Sequence, residues 1–137
     1  MAPNHPIVRP TPSSAAATER IRAICMALPL VSERPSHGEA TWFINDMKSF
    51  ATMSDHHHSD RVFVCFAAAV GVQESLVGAE PERYMRPPYV GGRGWVGAYL
   101  DGNDAQSAPD WEMIEGLLTD AWLLIAPSKL HPLLDTQ

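Results

Sequence analysis

The chain has 137 residues, of which 45% are hydrophobic and 19% charged, and a formal net charge of −6. That length is one domain, large enough to bury a core without staples, and the composition is that of an ordinary globular protein. The acidic balance argues against bulk attraction to nucleic acid.

No apolar run approaches the roughly 20 residues that a membrane span needs. The N-terminal stretch MAPNHPIVRPTPSS lacks the apolar core of a secretory signal. Cys25 and Cys65 lie far apart, each in an apolar-periodic segment, and read as small buried hydrophobes in a reducing compartment. The expectation is a cytoplasmic protein with no membrane partner.

Pro3, Pro6, Pro10 and Pro12 predict an extended tail over residues 1–13. A domain is then expected over 14–131, with 132–137 as a C-terminal tail. Ser13 or Ser14 offers a helix cap, and Ile21, Ile24, Cys25 and Leu28 form one helical stripe ahead of Pro29. From Ser32 the pattern turns to β, with strands expected over 39–44 and 47–53, joined at Asn45-Asp46. The run RVFVCFA, 61–67, is apolar on both faces, as a central strand is. A short helix is predicted over 70–79 and an edge strand over 84–86, because the prolines that follow cannot donate ladder bonds. Residues 95–100 alternate, with Val96, Ala98 and Leu100 on one side and Trp95 and Tyr99 on the other.

The last helix begins near Pro109, and Trp111, Ile114, Leu118, Ala121, Trp122 and Ile125 make its apolar stripe. The order is α-β3-α-β2-α. It predicts an α+β two-layer sandwich, a five-stranded antiparallel sheet with helices on one face.

The chain carries several suggestive chemical patterns. Gly92, Gly94 and Gly97 spell the dinucleotide fingerprint G-x-G-x-x-G, but a strand-like segment follows where that motif needs a helix N-terminus. Asp55-His56-His57-His58-Ser59-Asp60 holds ligand-type residues, yet adjacent side chains diverge, and a solvated loop is the expectation. Neither cysteine has a base within its segment, and Glu112, Glu115 and Asp120 lie off the last helix's apolar stripe. His131-Pro-Leu-Leu is similar to a fragment of the folate-dependent formyltransferases, but Lys129 stands where their asparagine would be. No enzyme, metal or cofactor is expected.

What remains is the stretch RPPYVGGRGWVG, 86–97, in which Arg86, Tyr89, Arg93 and Trp95 cluster. Guanidinium groups beside aromatics suit phosphate contacts and base stacking. From Arg83 to Leu100 there are three arginines and no acid, whereas from Asp101 to Asp120 there are six acids and no base. A basic patch continuous with Lys48 and Arg61 would favour DNA. A concave face carrying Trp95, Tyr99 and Trp42 would favour a small ligand or a protein partner.

Several segments together resemble the MmcQ/YjbR family of small bacterial proteins. They are Ala27-Leu-Pro29, Ser36-His-Gly38, the hairpin from Phe43 to Ala51, the Arg86-Pro-Pro-Tyr-Val-Gly91 turn, Arg93-Gly-Trp95-Val, and Ala-Trp-Leu-Leu-Ile-Ala-Pro127-Ser-Lys129. The resemblance implies a two-layer α+β domain likened to double-winged DNA-binding and secretion-chaperone-like folds. It also implies a non-enzymatic, regulatory DNA-binding role, with the 86–95 hairpin as a wing and double-stranded DNA as partner.

Overall fold

The structure is a computed structural model that describes residues 9–57 and 59–135, the side chain of Asp135 excepted. Helix α1 (Pro12–Met26) starts earlier than its sequence suggests. Thr11 Oγ1 accepts the Ser14 N–H at 3.0 Å and Ser14 Oγ accepts the Thr11 N–H at 2.8 Å. This reciprocal cap, with Pro12 in the first turn where its missing N–H costs nothing, draws the end of the expected tail into the helix. Residues 1–8 of that tail lie outside the described residues.

Four strands follow: β1 (Val31–Ser36), β2 (Glu39–Ile44), β3 (Lys48–Asp55) and β4 (Val62–Phe66). Helix α2 (Val72–Ala79) leads to β5 (Tyr84–Met85) and β6 (Val96–Tyr99), and then to α3 (Trp111–Ile125) and the short α4 (Pro132–Asp135). The sheet is antiparallel in the order β1-β2-β3-β4-β6-β5. It has six strands where the sequence suggested five. The additional strand is β1, an edge strand that tolerates Pro35. A two-residue turn with His37 at φ 52° and Gly38 at φ 80° joins it to β2, the left-handed pair such hairpins require. Asn45 and Asp46 close the next hairpin with φ 53° and 56°. The expected C-terminal tail begins as helix α4, with Leu134 against the core.

Helices α1 and α3 pack on one face of the sheet. Ile21 and Cys25 from α1, and Ile114, Leu118, Ala121 and Trp122 from α3, meet Trp42, Phe50, Val64 and Phe66. Asp110 caps α3 by accepting the Met113 N–H at 3.1 Å, so Pro109 stands before the helix and not inside its first turn. Strand β3 carries a bulge against β2. Trp42 pairs with Ala51 and Phe43 with Ser49, leaving Phe50 as the extra residue. Phe50 and Ala51 are both buried, while Ser49 and Thr52 fall on the opposite face.

Trp42 is therefore not part of an exposed aromatic face, contrary to expectation. It is fully buried under the helical layer, and its Nε1 donates to Glu33 Oε1 at 2.9 Å. Arg22 of α1 donates to both oxygens of the same carboxylate, at 2.7 and 2.9 Å. The Arg22 hydrogen bonds hold the Glu33 carboxyl below its usual range, burial opposes them, and the Trp42 indole adds to the lowering.

Two predictions follow from this packing. Trp122 is fully buried and its Nε1 donates to Pro29 O at 2.9 Å, so Trp122→Ala should cost about 3–5 kcal/mol in denaturant titration. A loss below about 1 kcal/mol would mean the helix does not pack by this face. Because its folded pKa is lowered, Glu33 contributes stability above the ordinary carboxylate pKa and loses it as pH falls through the folded value. Melting temperature against pH should thus be flatter on the acid side for Glu33→Gln than for the wild type. Parallel curves would refute that assignment.

Candidate ligand-binding groove on the uncovered sheet face

The face opposite α1 and α3 follows from strand alternation. Thr41, Thr52, Cys65 and Gly97 stand in one cross-strand row, and Ser54, Phe63 and Tyr99 in the next. Thr41 and Thr52 share a hydroxyl–hydroxyl hydrogen bond of 2.8 Å. Gly97 leaves room that the Met85 thioether of β5 fills. Phe63 and Tyr99 meet edge to face, centroids 6.2 Å apart. Arg61 lies 3.8 Å over Tyr99 and is clamped by both oxygens of Asp101. Burial would raise the Asp101 pKa, but hydrogen bonds from Arg61 and the Val62 N–H together bring it below its ordinary value.

The loop between β5 and β6 forms a wall over these rows. Its hinge is Tyr89, at φ 63° and ψ −64°, bracketed by a 2.7 Å hydrogen bond from Val90 N–H to Pro88 O. This is a γ-turn in the rare positive-φ form, strained for a bulky residue. The Tyr89 side chain is 85% exposed, although Pro88 and Val90 beside it line the groove. A single 3-10 turn, Val90–Arg93, ends at Gly94, whose φ of 85° a glycine adopts freely. The buried Gln73 amide, from α2, donates to Gly91 O at 2.9 Å and Trp95 O at 2.6 Å and so fixes both ends of that turn. Arg86 lies across Gly91, where a Cβ would come within 2.7 Å of its Cγ. The glycines thus serve the turn and the strand. Gly97 sits inside β6, and no helix N-terminus follows it.

Floor and wall border a half-open groove of about 640 Å³. Trp95 is buried in its side and Arg93 is stacked 5.3 Å over the indole. At the other end Glu39 Oε2 accepts the Asp55 N–H at 2.6 Å, with Arg9 Nη1 3.5 Å and His57 Nδ1 3.7 Å away. The histidine loop is accordingly built into the fold and is not simply solvated. His56 Nδ1 lies 2.6 Å from Asp55 Oδ1, and Ser14 Oγ donates to Asp55 Oδ2 at 3.0 Å. His58 lies outside the described residues. Ser14 and His56 hold different oxygens of one carboxylate, an arrangement unlike the serine–imidazole–carboxylate chain of a catalytic triad. Burial pushes the Cys65 thiol up to about 12, with Glu39 adding to the effect, which leaves it neutral on the floor. Ser54 is among the lining residues, and its Oγ, itself shut off from the open space, is the one buried side-chain polar atom among the described residues without a hydrogen-bond partner.

The structure therefore brings Tyr89, Arg93 and Trp95 together at one groove. Arg86 is exposed and is not among the cavity-lining residues, and Lys48 is exposed at the start of β3, outside the groove. The basic patch that would join Arg86 and Arg93 to Lys48 and Arg61 is not formed, because Arg61 is held by Asp101. Glu39, Thr41, Thr52 and Ser54 escape sequence reasoning, and their only signal is a polar residue at alternate positions between bulky apolar ones. His57 and Cys65 read in the sequence as part of a solvated loop and as a buried hydrophobe, and the structure sets both at the groove.

A family model described as YjbR matches residues 26–124 of the chain, which takes in the whole sheet and nearly all of α3. Among solved structures, the Deinococcus radiodurans protein DR2400, with a DUF419 domain, is similar over 87% of this chain and 85% of its own. Its TM-score is 0.66 at 18% identity, so the likeness speaks for the fold alone. No curated protein matches the chain.

Gln73→Ala removes both amide hydrogen bonds in a site only 4% exposed, leaving Gly91 O with the Gly94 N–H and taking the side-chain donor from Trp95 O. It should destabilise the chain by about 1–3 kcal/mol, measured in urea. It should also broaden the Trp95 indole resonance as the loop loosens. A sharp, unmoved resonance would show that the loop holds without this amide.

Proposed function

This chain belongs to the YjbR family, and we propose that it works as a non-enzymatic small-molecule-binding protein whose site is the groove on the uncovered sheet face. The observation that carries this reading is the lining of the half-open groove. The cavity is of about 640 Å³, mainly apolar, with a few placed polar groups and a stacked guanidinium–indole pair. Ligand sites of roughly 300–1,000 Å³ have this character. Strain at Tyr89, next to the groove, agrees with a functional loop.

The DNA-wing reading keeps one specific observation in its favour. Arg86 and Arg93 project from the β5–β6 loop and make no ion pair among the described residues. Against it stand the net charge of −6, the capture of Arg61 by Asp101, and the position of Lys48 outside the groove. Two arginines without a surrounding basic field give little non-specific affinity for duplex.

One pair of measurements separates the two readings. A fragment library followed by amide and indole NMR should move Trp95, Thr41 and Thr52 together, whereas scattered or absent shifts would sink the groove reading. A salt series on duplex DNA should show no wild-type binding at moderate ionic strength. If binding does occur, and Arg86→Ala and Arg93→Ala each flatten the log–log salt slope by about one unit, the wing reading replaces the groove.

A further inference from the structure

We infer that the groove selects a planar aromatic ring bearing one anionic group of carboxylate type, an assignment that rests on the small-molecule reading above. The charges around the cavity single out one uncompensated ion. Glu39 is committed, since it accepts the Asp55 N–H and has Arg9 and His57 beside it. Arg93 is exposed, meets no acid among the described residues, and lies over the Trp95 ring. A guanidinium with no carboxylate partner offers a planar fork of donors, and a ligand carboxylate matches that fork with two parallel hydrogen bonds.

The remaining surface specifies what the anion is attached to. Trp95 and Phe63 line the same groove with narrow aromatic edges, 4% and 2% exposed, and Cys65 contributes a neutral thiol to its floor. Phe63 is held in orientation by Tyr99, which is itself held by the Arg61–Asp101 clamp, so the aromatic wall is rigid before any ligand arrives. Rigid flat walls favour a flat ring over a flexible chain, because little conformational freedom is lost on contact. A purely aliphatic acid would leave the aromatic wall unanswered.

The test uses 2-naphthoate and its neutral isostere 2-naphthamide, titrated into the full chain and followed by amide and indole NMR. The wild type should bind the acid about tenfold more tightly than the amide, which corresponds to about 1.4 kcal/mol. Arg93→Gln should bring the two affinities level, chiefly by weakening the acid. Arg86→Gln, on a residue of the same loop that is not among the cavity-lining residues, should leave the tenfold ratio in place. Equal affinities in the wild type, with shifts still centred on Trp95, would overturn the anion assignment and leave the groove reading standing. Loss of the ratio in Arg86→Gln as well would overturn it too, by showing general charge attraction. If neither compound moves the groove resonances, the small-molecule reading and this inference fall together.

Discussion

Strand β4 is buried along both of its faces, yet helices α1 and α3 cover only one of them. On the helical side Val62, Val64 and Phe66 pack in the ordinary way of a two-layer α+β domain. On the other side Phe63 and Cys65 need cover from elsewhere. They receive it from the side chains of β3 and β6 and from the β5–β6 loop, which stands where a second helical layer would stand in a three-layer fold. A loop with two prolines and a 3-10 turn cannot close on a sheet as evenly as a helix does. The imperfect closure is the groove.

That constraint also explains which parts of the structure are legible in the sequence. The α3 stripe from Trp111 to Ile125 declares itself because its apolar period is helical, and β4 declares itself as an unbroken apolar run. β1 does not, because an edge strand has no need of a buried face. Val31–Ser36 is half-exposed throughout and includes a proline, so no alternation marks it. The bulge at Phe50 hides the second face of β3 in a different way. Strict alternation would set Phe50, Thr52 and Ser54 on one side, mixing an aromatic with two hydroxyls. The extra residue separates them, sending Phe50 under the helices and the hydroxyls into the groove. The same hidden register keeps Glu39, Thr41 and Cys65 from being recognised, since they converge from separate strands. Arg93 and Trp95 are legible because they lie two residues apart in a compositionally dense turn.

Charge segregation along the sequence does not survive as segregation in space. Of the three arginines in the acid-free stretch, Arg83 is structural. It pairs with Glu80 at 2.6 Å and donates to the carbonyls of Ala108 and Ala105, tying the acidic segment before α3 to the edge of β5. Arg61 performs the same service from the other side through Asp101. Arg61–Asp101 is thus the ion pair that reaches the acidic segment, while Arg83 meets that segment through backbone carbonyls and takes its own acid, Glu80, from three residues away. The other two, Arg86 and Arg93, make no ion pair among the described residues; Arg93 lines the groove and Arg86 lies against Gly91.

The loop's own energetics complete the account. Holding a tyrosine in a positive-φ γ-turn costs on the order of 1–3 kcal/mol, and such strain persists only where neighbouring structure over-determines it. Here the over-determination is visible. Gln73 grips the carbonyl of Gly91 within the 3-10 turn and that of Trp95 just after it, and Pro87 is buried at the base. Pro88 and Val90, on either side of Tyr89, line the same space as Thr52 and Cys65, so the strained hinge lies at the wall of the groove and its supports hold that wall in place.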